Sequence, residues 1–195
     1  VVVEGELPAV GQRLVIVANH QSYLDGLLLM SILSFPVEFL VKGELKESWL
    51  LRRPLSRIGA RFIERFDGAK GVEQMGDVAA DLSKSYPLMV FPEGTFKRMP
   101  GVLPFHMGAF TTAVAADFSV LPIAIHGTRS VLRAHSWYPR QGKITVTIGS
   151  PMRPDQQAEP WSAALTLRDH ARKHILTYCR EPDLAHESNV VDLMP

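Results

Sequence analysis

Along the chain, short runs of apolar residues end abruptly in polar turns, and longer stretches with apolar residues every three or four positions separate them. The short runs predict strands at 14–18, 37–41, 61–64, 88–91, 120–125 and 144–148, because each is too short for a buried helix and is bounded by turn residues. The longer stretches predict helices at 24–33, at 105–116 and from Pro160 to about Tyr178, where proline suits a first helical turn. A further helix is expected where Val72, Met75, Val78, Ala79 and Leu82 form an apolar stripe. Alternating strands and helices predict an α/β fold. It is a single domain with a largely parallel, mixed central sheet and helices on both faces. Residues 181–195 lack periodicity and read as a C-terminal tail or linker after a domain spanning 1–180.

Composition narrows the field. The 195 residues are 46% hydrophobic and 21% charged, as in a globular protein large enough for one full core. A net charge of +1 gives no global attraction to nucleic acid, and none is expected as a partner. The charge is uneven, however: Lys42, Lys46, Arg52, Arg53, Arg57, Arg61 and Arg65 face only Glu44, Glu47 and Glu64 in one stretch, a local anion-seeking surface. Beside it, Trp49-Leu50-Leu51 reads either as core or as a short interfacial segment. Cys179 has no disulfide partner in the chain and is expected in the core. Asp25, Pro36 and Glu38 interrupt the richest apolar stretch, so no spanning helix is predicted there. The first residue is Val1 rather than methionine, so an anchor belonging to a longer protein would lie outside this chain.

Candidate chemistry sits where strands end. After the run Leu14 to Ala18 comes Asn19-His20-Gln21-Ser22-Tyr23-Leu24-Asp25, at the strand terminus where α/β folds expose side chains to a ligand crevice. Histidine is the side chain suited to taking a proton near neutrality. Ser22-x-x-Asp25 also reads as a capping box, with Asp25 reaching back to a backbone N–H. The two readings are compatible. Within a regular helix His20 and Asp25 would be turned about 140° apart. If the helix starts near Ser22, the His20 ring lies outside it and can fold back onto the carboxylate, as in a catalytic triad.

A second strand, Leu88 to Phe91, runs into Pro92-Glu93-Gly94-Thr95, where glycine allows close backbone approach and Thr95 offers a hydroxyl; Glu93 reads otherwise as a cap or an arginine partner. Gly59-Ala60-Arg61-Phe62-Ile63-Glu64-Arg65 alternates, placing Arg61 and Arg65 on one strand face, either as phosphate ligands or as solvated edge residues. Leu121-Pro122-Ile123 reads first as core and second as a wall for a fatty chain. His170 and His174 lie four apart on the last helix, but no carboxylate or cysteine completes a metal set, and no metal site is expected. A nucleophile elbow, a P-loop and a dinucleotide-binding glycine fingerprint are all absent from the sequence.

Taken in order, Asn19-His20-x4-Asp25, Gly59-x-x-Phe62-Ile63-x-Arg65, Phe91-Pro92-Glu93-Gly94-Thr95 and the proline-centred strand Val120 to Ile125 resemble the glycerolipid acyltransferase family typified by 1-acylglycerol-3-phosphate O-acyltransferase. The likeness runs from about residue 14 to residue 151, including Leu103-Pro104-Phe105 with Gly108-Ala109 and the closing Ile148-Gly149-Ser150-Pro151. The resemblance implies a glycerol-3-phosphate acyltransferase-like fold. It also implies transfer of a fatty acyl group from an acyl thioester, acyl-CoA or acyl carrier protein, to the hydroxyl of a lysophospholipid or lysophosphatidate. His20 would be the general base and Asp25 its orienting acid. Lys42, Gly59, Arg61, Phe62, Arg65, Glu93, Gly94, Thr95 and Arg98 would bind substrate, and Leu121, Pro122 and Ile123 would line an acyl-chain pocket. No cofactor is implied beyond the donor, and the partners are a membrane surface, the lysophospholipid acceptor and, for one donor class, acyl carrier protein. The implied location is the cytoplasmic face of a membrane. One departure stands out: the family continues Glu-Gly-Thr-Arg, whereas this chain has Phe96, with Lys97 and Arg98 one and two positions further on. That change points away from lysophosphatidate towards acceptors with a substituted headgroup, and it leaves a non-catalytic lipid-binding or regulatory module as the alternative.

Overall fold

The computed structural model describes residues 1–9, 11–41, 61–64, 86–133, 136 and 138–185. In chain order the elements are β1 (Val2–Glu4), β2 (Leu14–Ala18), α1 (Leu24–Ile32), β3 (Glu38–Val41), β4 (Arg61–Glu64), β5 (Leu88–Val90), α2 (Gly108–Ala116), β6 (Ser119–His126), α3 (Thr128–Val131), β7 (Thr145–Ile148) and α4 (Pro160–Cys179). The strands form one sheet of order β1-β7-β6-β2-β5-β3-β4. Every pairing is parallel except β6 with β7.

β2 lies inside the sheet between β6 and β5, and all five of its side chains are buried. A strand covered on both faces needs no polar alternation. Val15 and Val17 face one core with Phe110 and Ala113 of α2 and Leu167, Ala171 and Ile175 of α4. Leu14, Ile16 and Ala18 face the other, with Leu28 and Leu29 of α1. α4 buries Ala164, Leu167, Ala171, Ile175 and Cys179, spaced three and four apart along one helical stripe. Glu159 caps its first turn by accepting from Ser162 N–H, and Pro160 sits at the first helical position.

β2 matches its expected bounds, and the described helices and remaining strands fall within a few residues of theirs. Two elements were not expected. β1 is a three-residue edge strand whose side chains are all exposed, and its apolar residues Val2 and Val3 are too few to mark a strand by periodicity. α3 is a single turn, shorter than a helical period can register. α2 starts later than expected because residues 103–106 are not helical, with the His106 N–H spent on the Pro92 carbonyl. The helix expected around Val72 to Leu82, the interfacial segment at Trp49 and most of the basic stretch lie outside the described residues.

The sheet positions the site. Because β2 and β5 are parallel neighbours in the register Val17↔Val90, their carboxyl ends finish side by side. Asn19-His20 and Phe91-Pro92-Glu93 are thereby brought together from positions more than 70 residues apart. β6, on the other side of β2, ends beside them at Gly127, whose φ of +94° turns the chain into α3.

Candidate active site

Asn19 anchors the turn after β2. Its side-chain amide donates to the Ile125 carbonyl at 2.9 Å and its oxygen accepts the Ile125 N–H at 2.7 Å, completing a backbone-like pair with β6. α1 starts at Leu24, so His20 lies outside the helix and its ring folds back: His20 Nδ1 is 2.9 Å from Asp25 Oδ2. The same Oδ2 accepts the Gln21 N–H at 2.6 Å and the Ser22 N–H at 2.8 Å. One oxygen therefore both ties down the turn before α1 and orients the histidine, while the N-cap itself, Tyr23, carries no side-chain cap bond. With Oδ2 accepting, Nδ1 is the donor nitrogen of the ring and Nε2 keeps its lone pair. Asp25 is wholly buried, whereas the His20 side chain is 20% exposed. The dyad is thus buried at its base and open at its tip. Asp25 Oδ1 and Gln21 Nε2 are buried without hydrogen-bond partners.

Aromatic rings fix the imidazole. Phe91 stacks on His20 with centroids 4.3 Å apart and planes 16° from parallel. Phe96 approaches it edge-on at 4.4 Å and meets Tyr23 the same way at 4.8 Å. Tyr23 and Leu27, four residues apart, are each 44% exposed and continue this apolar surface outward.

Glu93 is 3% exposed and ties the motifs together. Oε1 accepts the His20 N–H and Oε2 the Leu103 N–H, both at 2.7 Å. Burial pushes its carboxyl up to about 8, with the Glu181 charge acting in the same direction; the two backbone donors and the Arg172 charge pull the other way. Gly94 follows at φ +70°, and a Cβ there would stand 3.3 Å from the His106 ring. Gly94 and Thr95 are exposed at the tip of the turn, as are Lys97 and Arg98. Arg172 of α4 supports the far side, donating to the carbonyls of Leu103 at 2.6 Å and Val102 at 3.1 Å.

The structure brings His20, Asp25, Glu93, Gly94, Thr95 and Phe96 into one place. Lys42, Gly59 and Arg65 lie outside the described residues. Arg61 and Phe62 belong to β4, the sheet edge reached from β5 through β3. Leu121 and Ile123 are fully buried among the residues facing α1, and Pro122 is buried between them, so the core reading describes how this strand packs. The Pro122 carbonyl accepts the Gly149 N–H, while its missing donor falls where β7 has ended, which lets proline occupy an interior strand. Cys179 packs in the core as expected. His174 does not face solvent as a surface histidine would: its Nε2 is buried without a partner, and burial lowers its basicity. Among the described residues no group of three or more His, Cys, Asp or Glu could hold a metal.

Sequence reasoning missed the stacking of Phe91 on His20 and the contact of Tyr23 with Phe96, because apolar residues beside a strand read as core. It also missed the contacts of Glu181 and Asp183, placed in the expected tail: Glu181 pairs with Arg129 and Asp183 with Arg172.

Residues 1–126, which end with β6 and contain all four ordered motifs, match the family model described as Acyltransferase. The chain belongs to this acyltransferase family. Across 171 residues it is 30% identical to the sheep protein named 1-acyl-sn-glycerol-3-phosphate acyltransferase alpha, covering 87% of this chain and 59% of that one. Against the coconut 1-acyl-sn-glycerol-3-phosphate acyltransferase it is 28% identical over 148 residues, 75% of this chain and 48% of that one. This acyltransferase-family chain therefore spans roughly half the length of these curated relatives. Its fold is also that of the crystal structure of the 1-acyl-sn-glycerophosphate (LPA) acyltransferase PlsC from Thermotoga maritima, with a TM-score of 0.62 at 23% identity over 89% of this chain and 71% of that one.

Proposed function

We propose that the protein is an O-acyltransferase that moves a fatty acyl group from an acyl thioester to the free hydroxyl of a lysophosphatidate or lysophospholipid. The observation that carries this reading is the His20–Asp25 dyad at 2.9 Å, buried at the carboxylate and open at the imidazole tip. With Nδ1 engaged by Asp25, Nε2 is the nitrogen that takes the acceptor's hydroxyl proton. The resulting alkoxide oxygen bonds to the thioester carbonyl carbon, the carbon–sulfur bond breaks, and the imidazolium returns its proton to the departing thiolate. Asp25 stabilises the transient imidazolium and holds its tautomer. Direct attack by the acceptor needs no acyl-enzyme, in keeping with a sequence that has no nucleophile elbow.

The donor is acyl-CoA or acyl carrier protein, and the loop Gly94 to Arg98 takes the acceptor headgroup. Work at the cytoplasmic face of a membrane fits the exposed Tyr23 and Leu27 beside the site. No helix among the described residues is long and apolar enough to cross a membrane.

The test is a mass-spectrometric screen of lysolipid acceptors against acyl-CoA and acyl carrier protein donors. The expected result is a diacyl lipid formed in step with free thiol, lost in the His20→Ala variant. Wild-type turnover by that variant overturns His20 as base. Thiol release at the same rate with and without acceptor overturns transfer in favour of hydrolysis.

A further inference from the structure

Arg129 stands on the single turn of α3, directly after β6, and Glu181 lies just beyond the end of α4. The two meet as a planar fork: Arg129 Nε donates to Glu181 Oε1 at 2.7 Å and Nη2 to Oε2 at 2.9 Å. Their side chains are 11% and 8% exposed. What remains of each group goes to one loop. Arg129 Nη1 donates to the Lys97 carbonyl, and Glu181 Oε2 also accepts the Gly101 N–H at 2.7 Å. The pair therefore grips both ends of the segment 97–101.

That segment is already held at its exit. Val102 N–H donates to the Pro182 carbonyl and Leu184 N–H to the Val102 carbonyl, and Gly101, at φ +140°, leaves no room for a Cβ beside Leu184. The Lys97 carbonyl is its entrance, one residue after Phe96, whose ring rests on His20 and Tyr23. A buried ion pair is a weak source of net stability, and apolar side chains would hold α3 to the C-terminal segment at least as well. Apolar side chains could not hold a carbonyl and an N–H of the same loop at fixed places.

We infer that Arg129 and Glu181 are positioning residues for the acyl acceptor: they set the loop that carries Thr95 and places the Phe96 ring beside His20. This rests on the acyltransferase reading above and assigns two residues to its acceptor side. Neither touches His20, so they act through the loop.

The test compares Arg129→Lys, Arg129→Gln and Glu181→Gln with wild type in steady-state kinetics, varying a short-chain 1-acyl lysophospholipid and acyl-CoA separately. Calorimetry measures binding of the same lysolipid without donor. A loop displaced by an ångström misplaces the acceptor, so the acceptor KM and Kd are expected to rise about tenfold or more while the donor KM stays within about twofold. Arg129→Lys is expected to behave like Arg129→Gln, because an ammonium cannot fork onto Glu181 and also reach Lys97. In the Phe96→Ala background the Arg129→Gln penalty should shrink, as it must if the effect travels through that ring. Equal changes in donor and acceptor parameters, full additivity with Phe96→Ala, or unfolding of all three variants would each overturn the inference. If wild type transfers no acyl group, the acyltransferase reading fails by itself, and the lysolipid Kd still decides this one.

Discussion

Asp25 Oδ2 receives three donors, which makes the charge on that oxygen the quantity to vary. Asparagine keeps an acceptor oxygen for the backbone N–H groups but removes the charge that fixes the His20 tautomer. Asp25→Asn is expected to lower kcat by about 10³-fold or more, as loss of the acid does in catalytic triads, and to lower the melting temperature only modestly. A residue serving purely as a cap would cost about 0.5–2 kcal/mol of stability and leave kcat near wild type, so the two measurements separate the roles. Glu93 makes a different prediction. Its native carboxyl holds a proton up to about pH 8, whereas the unfolded chain releases it near 4.5. Its contribution to native stability is therefore fullest below the unfolded value and falls as the pH rises from about 4.5 to about 8. Denaturation midpoints measured across that range should decline more steeply in wild type than in Glu93→Gln. At low pH the variant should be the weaker protein, because an amide cannot accept both N–H groups.

At the scale of elements, the site depends on how strands leave the sheet. Gly127 ends β6 at φ +94°, where a Cβ would lie 2.2 Å from the Lys143 carbonyl oxygen, a backbone atom that moves only with its segment. Gly94 has φ +70°, but its neighbour is the exposed ring of His106, which can swing away. Gly94→Ala should therefore cost about 1 kcal/mol, chiefly backbone strain, and Gly127→Ala about 2–3 kcal/mol or more, read from urea unfolding. Reversal of that order would show that the β6–α3 turn is softer than its packing indicates. The turns also show what local pattern can convey. The motif Asn19 to Asp25 announced a histidine near a carboxylate, since both ends lie within one turn of chain. That Glu93 reaches back to the His20 N–H was invisible, because the contact exists only once β5 has docked beside β2.

For the molecule as a whole, α4 joins the site to the core. Its inner stripe packs on β6 and α2, while Arg172 on the same helix holds the carbonyls of Val102 and Leu103. Ile175→Ala opens a cavity at a fully buried position and should cost about 2–5 kcal/mol. If sheet and helix unfold as one unit, near-ultraviolet and far-ultraviolet circular dichroism should report the same lowered midpoint. Separate transitions would mean that α4 detaches first. The electrostatics under the loop have the same global origin: Glu93, Arg129, Arg172 and Glu181 come from a strand end, two helices and the segment beyond the last helix. No short stretch of sequence contains more than two of them.

The chain's order of residues determined by itself the α/β alternation, the bounds of β2 and the placing of His20 within reach of Asp25, because each follows from periodicity or from spacing within a few residues. It also carried the family, since ordered motifs need no folding to be read. Tertiary structure alone decided that β2 has β5 and β6 as neighbours, that Phe91 and Phe96 enclose the imidazole, and that Arg129 reaches Glu181. Those contacts join residues far apart in the chain, and strand order across a sheet is fixed by how two faces of side chains are covered at once, a condition that no local stretch of sequence expresses.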